Sequence, residues 1–298
     1  LEESSRHRSD TVTVLRHLAQ LNIATLRHPI DDPRTADFVD ALPLVNGAGE
    51  ATPGYIWRLQ SEAGDATDIR VFEDPMVIVN LTVWESLDAL KGFAYRGLHR
   101  DFFKRRAEWF VPGSSRTALW WLPASTLPTT DDAKRRLDFI DAFGLSPYAF
   151  EMGQQQRALT IEVVGNDDER ARQMLAQLDD GDVSEADSYV VAQLDDEPAA
   201  CGGYRRIDEH TAEIRRMYVA QPARGLRIGA AIVAELAAVA EGNGIERVVL
   251  ETGQRQSPSI ELYERFGFRR CACWSEHAER TGSVCLEKSL GAAPSRLA

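Results

Sequence analysis

Apolar residues recur along this chain in two rhythms. Alternating or short unbroken apolar runs predict strands at 17–25, 55–59, 77–84 and 118–122, with a shorter piece at 69–72. Between them the spacing changes to three and four. A helix opens at Pro33 with Phe38, Leu42 and Val45 on one face, its end disturbed by Pro43. A long helix follows over about 87–110, weakened at Gly92 and Gly97 and ended by Pro112-Gly113. Another is capped by Thr129 or Thr130, carries Ala133, Leu137 and Ile140, and is closed by Gly144. Strand, helix, strand, strand, helix, strand, helix is a ferredoxin-like α+β order.

The rhythm lapses over 151–157 (EMGQQQR), which reads as a linker, and then restarts. Strands are predicted at 159–164, 189–194 and 199–207, the last two joined by an Asp195-Asp196-Glu197-Pro198 turn. A helix at 167–180 carries Met174, Leu175 and Leu178. Strand material from Glu213 to Val219 meets a break at Gln221-Pro222-Ala223. Arg224 and Gly225 then open a helix with Ile228, Ile232, Leu236 and Val239 on one face. Asn243-Gly244 ends it before a strand at 245–251. Ser257 is placed to cap a helix with Pro258 first, Gly267 ends that helix, and strands at 268–274 and 284–290 follow. The lapse divides the chain into domains at 14–152 and 158–290.

A Gly-bearing turn that feeds a helix leaves backbone N–H groups unpaired at the positive end of the helix dipole, a geometry that binds phosphate. Arg224 and Arg227 add charge there. The run Arg224-Gly225-Leu226-Arg227-Ile228-Gly229 resembles the pyrophosphate loop of the GNAT superfamily of N-acetyltransferases, Arg/Gln-x-x-Gly-x-Gly/Ala, with Arg227 where the middle Gly is usual. Leu262-Tyr263-Glu264-Arg265-Phe266-Gly267-Phe268 resembles the second signature of that superfamily, LY-x-x-x-GF. The resemblance covers the chain from about 158 onward and implies a mixed-sheet GNAT domain that binds acetyl-CoA. The first half resembles the dimeric α/β-barrel group, which includes antibiotic-biosynthesis-monooxygenase-like domains, through its strand order and the stretch NLTVWESLDALKGFAYRGLHRDFFKRRAEWF. Members bury the open face of the sheet against a second chain, so that resemblance implies a homodimer.

The resemblance sets the donor contacts. Amides of Leu226, Arg227, Ile228, Gly229 and Ala230, beside Arg224 and Gly225, would cradle the pyrophosphate. Adjacent polar residues in Ile214-Arg215-Arg216-Met217 break the two-residue alternation and predict a bulge. In the superfamily the strand splays there, and the pantetheine arm pairs with backbone groups, here those of Met217, Tyr218 and Val219. Ser259 is a further candidate contact. Tyr263 is the candidate general acid for the departing thiolate, and its other reading is a core aromatic. Glu213 is the candidate base. It also reads as a structural partner of Arg215 or Arg206. The acceptor is expected to be a primary amine on a small molecule or protein, attacking acetyl-CoA directly. Eleven acidic residues within 167–197 suit an ammonium group, and suit a solvated face equally. In the first half, His99 and Trp57 could line a pocket.

A net charge of −12 argues against nucleic acid, and no apolar run reaches membrane-spanning length. The four cysteines, Cys201, Cys271, Cys273 and Cys285, show no metal-finger spacing and read as reduced strand residues, with no metal expected. With no signal-like apolar block near the first residue, the expected compartment is the cytoplasm. The first ten residues, LEESSRHRSD, read as tag, scar or leader. Two other functions fit the same residues: a non-catalytic acyl-CoA sensor, and a barrel-centred oxygenase or ligand-binding protein with a regulatory acetyltransferase half.

Overall fold

The computed structural model describes residues 15–95, 97–154, 157–178, 186–274, 277–278 and 280–290. The first ten residues and the tail after 290 therefore lie outside the described residues, as do four acidic positions, Asp179, Asp180, Asp182 and Glu185. Two sheets organise the chain. The first has four strands, β1 (Arg16–Thr25), β2 (Tyr55–Arg58), β3 (Val77–Trp84) and β4 (Arg116–Pro123), in the order β2-β3-β1-β4, and every pair is antiparallel. Helices α1 (Ala36–Glu50), α2 (Leu87–Ala94) and α3 (Gly97–Trp109) connect them, and α4 (Thr130–Phe143) follows. Helix α1 begins after a 3-10 turn at Pro33–Thr35 and runs through Pro43, which sits on an outward stretch of the helix. The long helix expected over 87–110 is two helices, divided just before Gly97. The piece at 69–72 forms no strand. Helix α4 has a full capping box, in which Thr129 accepts from the Asp132 amide and Asp132 accepts from the Thr129 amide.

One face of the first sheet is apolar and covered. Ala19, Leu21, Ile23, Val79, Leu81, Val83, Ala118 and Trp120 are buried there against Ala133 and Leu137 of α4, with Val71 and Phe72 alongside. A homodimer was expected because this face would be left open. The chain covers the face with its own helix, so that reason for pairing two chains falls away.

The second sheet has seven strands. They are β5 (Leu159–Gly165), β6 (Ser188–Leu194), β7 (Glu197–Arg206), β8 (Thr211–Val219), β9 (Arg247–Gly253), β10 (Arg269–Arg270) and β11 (Ser283–Ser289), in the order β10-β11-β9-β8-β7-β6-β5. The β8–β9 pair is parallel and joined through α6 (Ile228–Gly242), while the other pairs are antiparallel. The β6–β7 hairpin turns on Asp195 and Asp196, both at positive φ (54° and 71°), the pairing of angles that a two-residue loop between twisted strands requires. Helix α5 (Glu169–Leu175) covers one face with Ala171, Met174 and Leu175. Helices α6 and α7 (Ser257–Arg265) cover the other. At Gly202 a Cβ would stand 2.5 Å from Met217 Sδ and 2.7 Å from Ile232, so only glycine lets α6 seat on β7. The cap of α7 is Gln256, one residue before the expected Ser257.

The two sheets share a core. Phe139, Phe143, Tyr148 and Ala149 from the end of the first half are buried in one cluster with Ile228, Ile232, Leu236 and Tyr263. Each such aromatic stabilises by roughly 2 kcal/mol when fully buried. Polar contacts follow the same seam. The Tyr148 hydroxyl donates to Glu235 Oε1 at 2.6 Å, and Arg136 bridges to the same carboxylate at 3.1 Å. Tyr148 is fully buried beside that carboxylate, which pushes its hydroxyl above the ordinary phenol range.

Cys273 and Cys285 form a disulfide, which corrects the expectation of reduced cysteines for these two, while Cys201 and Cys271 are free. The bond ties the segment after β10 to β11, and the pairing cannot be read from a spacing of twelve. Disulfides persist in oxidising surroundings, so the cysteines lend no support to a cytoplasmic placement. Cys201 is free and buried, and burial pushes its thiol up to about 12, where it stays protonated and unreactive at neutral pH. Among the described residues, no helix is long and apolar enough to cross a membrane.

Candidate active site

The site forms where β8 leaves β9. These strands pair only from Thr211↔Arg247 to Ile214↔Leu250, although β8 runs on to Val219. Between Arg215 and Tyr218 the register against β7 shifts by one residue, and Arg216 takes a left-handed φ of 55°. This is the expected bulge, and it turns β8 away from β9. On the β9 side, backbone groups of Met217, Tyr218 and Val219 are thereby released from the parallel ladder. Met217 and Val219 pack toward α6, whereas Tyr218 faces α5 and donates its hydroxyl to Gln177 Oε1 at 2.5 Å.

The loop after β8 reaches the start of α6. Its 3-10 turn (Gln221–Ala223) buries Ala223, and Arg224 donates to the Val219 carbonyl at 3.1 Å. Gly225 sits at φ 80° and Arg227 at φ 61°. The helix begins at Ile228, four residues later than the sequence suggested. Its first backbone bond runs from Ala231 N–H to Arg227 C=O, and no side chain caps the end. The amides of Ile228, Gly229 and Ala230 therefore lack an intrahelical acceptor. No acidic side chain occupies the first turn to compete with an anion. Uncapped amides beside a released strand edge suit a pyrophosphate with an extended pantetheine arm.

Arg227 answers a question left by the motif. Its side chain leaves the loop and donates to the Leu145 carbonyl at 2.6 Å, past Gly144. Arg265 on α7 does the same from the other side. It donates to the Ala142 carbonyl at 2.6 Å and lies over the Phe143 ring. Two arginines of the second half thus hold the C-terminal end of α4, Arg265 at a carbonyl of its last turn, where the helix dipole is negative, and Arg227 at a carbonyl just beyond its cap. The left-handed backbone that glycine usually supplies is kept, and the side chain is used as a strut. Arg227→Ala is expected to lower stability by about 1 kcal/mol through loss of this charge-assisted bond. Arg227→Gly loses the same bond but relieves the left-handed backbone, worth about 1–2 kcal/mol, and is expected to be near neutral. Paired thermal melts of the two variants check the contrast.

Tyr263 lies on α7, 6% exposed, with its ring edge-on to Phe268 at 6.0 Å. Burial pushes its hydroxyl up to about 12. Among the described residues that hydroxyl makes no hydrogen bond. Ser259 lies one turn earlier and is half-buried.

Glu213 is 2% exposed on β8 and fully engaged. Oε2 accepts from Arg205 at 2.6 Å and lies 3.5 Å from Arg215, and Oε1 lies 3.1 Å from His277 Nε2. The expected alternative partner Arg206 instead reaches the Asn243 carbonyl. A carboxylate so bonded is an anchor for its neighbours. His277 escaped the sequence reading because it stands 64 residues from Glu213 in a loop. It packs against Trp274, with rings 5.3 Å apart.

Comparison with known proteins places both halves. The family described as "Acetyltransferase (GNAT) family" matches residues 149–268. The C-terminal half is a GNAT acetyltransferase domain. A family described as "Domain of unknown function (DUF3291)" matches residues 17–164, so the N-terminal half is a DUF3291 domain. An uncharacterized N-acetyltransferase, YsnE of Bacillus subtilis, is 37% identical over 99 residues, 32% of this chain and 64% of that protein. The chain thus spans less than two thirds of that GNAT relative. The IAA acetyltransferase of Azospirillum brasilense is 30% identical over 104 residues, 34% of this chain and 67% of that protein. Among solved structures, a GNAT family acetyltransferase from Elizabethkingia anophelis with acetyl-CoA bound is 20% identical, with a TM-score of 0.38 over 44% of this chain and 98% of that one.

Proposed function

We propose that the GNAT half moves an acetyl group from acetyl-CoA to a primary amine by direct attack. The observation that carries this reading is the β8–β9 splay opening beside the uncapped, acid-free start of α6. Donor contacts would come from Arg224, Gly225, Leu226, Arg227, Ile228, Gly229 and Ala230 around the pyrophosphate. Met217, Tyr218 and Val219 would line the pantetheine arm, with Ser259 near it. The thioester supplies an activated acyl group. The amine attacks in its neutral form: its nitrogen bonds to the carbonyl carbon, the carbon–sulfur bond breaks, Tyr263 gives its proton to the departing thiolate, and the proton shed by the nitrogen returns through solvent to the Tyr263 oxygen. A phenol held up at about 12 keeps that proton ready throughout the neutral range. Glu213 acts as a positioning residue that orders Arg205, Arg215 and His277 on the α5 side. The buried, protonated Cys201 fits a route with no cysteinyl intermediate.

On this reading residues 158–290 form the transferase and residues 14–152 a ferredoxin-like domain of the α/β-barrel type, supported by the strand order β2-β3-β1-β4. The acceptor is taken to be small or proteinaceous, with nucleic acid disfavoured by the charge of −12. Release of CoA thiol from acetyl-CoA, followed with a panel of primary amines, tests the reaction. Amine-dependent release with a matching acetylated product is expected. Donor binding without release for any amine would favour the acyl-CoA sensor instead.

A further inference from the structure

The first sheet has a second face, and it does not look like a core. On β1 and β3 the residues pointing away from α4 include Gln20, Asn22, Asn80 and Thr82, opposite a face that is wholly apolar. Asn22 and Asn80 stand directly across from each other on the two central strands. Asn80 is nevertheless exposed, because the space above it is open. That space is a cavity of about 200 Å³ between the sheet and helices α1 and α3. Six rings line its walls, Phe38, Trp84, Phe93, Phe102, Trp109 and Phe110, and Arg58, Asp65 and Arg106 stand at it as well. Those rings brace one another, with Phe38 edge-on to Phe110 at 5.2 Å and Trp84 stacked on Phe93 at 5.4 Å. The floor is polar and ordered. Trp84 Nε1 donates to Thr82 Oγ1, which donates to Gln20 Oε1, and Asn22 Oδ1 accepts from Thr117. Trp57, expected to line a pocket, packs on the opposite face, and the His99 side chain lies outside the described residues.

The cleft opens to solvent above Asn80, and an apolar cleft with a few convergent polar groups is the usual form of a small-molecule site. A cavity of about 150 Å³ already takes a benzene-sized guest. Ring walls select a planar guest through offset and edge contacts. Two facing carboxamides, each able to donate and accept, select a guest with a group of the same kind. We propose that this cavity is a binding site for a small aromatic molecule, of one or two fused rings, bearing a hydroxyl or amide-type group that meets Asn22 and Asn80. The sheet and α4 separate it from the β8–β9 splay, so its occupant is distinct from the acyl donor and the proposal stands independently of the transferase reading.

The probe is 2-naphthol, with its saturated counterpart 2-decalol as the shape control, titrated calorimetrically into the full chain. One site per chain is expected for 2-naphthol, with 2-decalol at least tenfold weaker. Asn80→Leu is expected to weaken 2-naphthol about tenfold by removing one hydrogen bond to the guest. Hydrogen exchange on the unaltered protein provides the second readout: 2-naphthol is expected to slow exchange across α1 and α3. No saturable binding of 2-naphthol, equal affinity for the two alcohols, or protection confined to the second half would each overturn the proposal.

Discussion

Gly229→Glu is expected to weaken acetyl-CoA binding by at least about 100-fold, equivalent to about 2.7 kcal/mol. Two effects add. Gly229 is in the first turn of α6, where the free amides of Ile228 to Ala230 meet the donor. A carboxylate at that spot competes for those amides as a cap and repels phosphate. A Cβ there would also come within 3.3 Å of Val219, on the strand edge where the pantetheine arm is placed. The fold should survive, because an acidic residue in a first helical turn favours the helix itself. Isothermal titration decides the matter. Unchanged affinity in a folded variant removes the loop from the site.

Tyr263→Phe is expected to lower kcat by about 10²–10⁴-fold and leave acetyl-CoA affinity within a few-fold. The ring is buried in the shared core and Phe preserves it, while among the described residues the hydroxyl makes no hydrogen bond to lose. The loss therefore reads the proton it donates. Burial raises the folded-state value to about 12, above the ordinary phenol value of 10, so the parent keeps its donor below both. Activity attributable to Tyr263 is expected to fall only as pH rises toward about 12. Pre-steady-state kinetics, with chemistry isolated from product release, separate the rate from binding. An unaltered chemical step would make Tyr263 a packing residue.

The transferase half was legible because its signals are local. Loop, helix start, bulge and the LY-x-x-x-GF run each lie within a dozen residues, and backbone geometry follows from them directly. Helix α4 shows where locality ends. Its periodicity marked one apolar face through Ala133, Leu137 and Ile140, which meets the first sheet. Phe139 and Phe143 on another side meet the second half, so the helix is buried twice and joins the two cores. A helix wheel cannot reveal a second partner contributed by residues 80 positions onward. The same limit hid the Glu213–His277 contact and the Cys273–Cys285 disulfide. Arg227 was visible as a departure from the motif, but its purpose needed the position of Leu145. A first-half pocket was expected around His99 and Trp57, but Trp57 packs on the other face of the sheet, and the residues that do line the cavity come from several separate stretches of the chain.

Hydrogen–deuterium exchange of the full chain, with and without acetyl-CoA, tests the donor-site assignment most directly. The account predicts slowed exchange at 217–230, where released strand amides and the uncapped turn of α6 would gain acceptors, and at 257–266 along α7. It predicts no change across β1 to β4. Protection absent from 217–230, or confined to the first half, would contradict it.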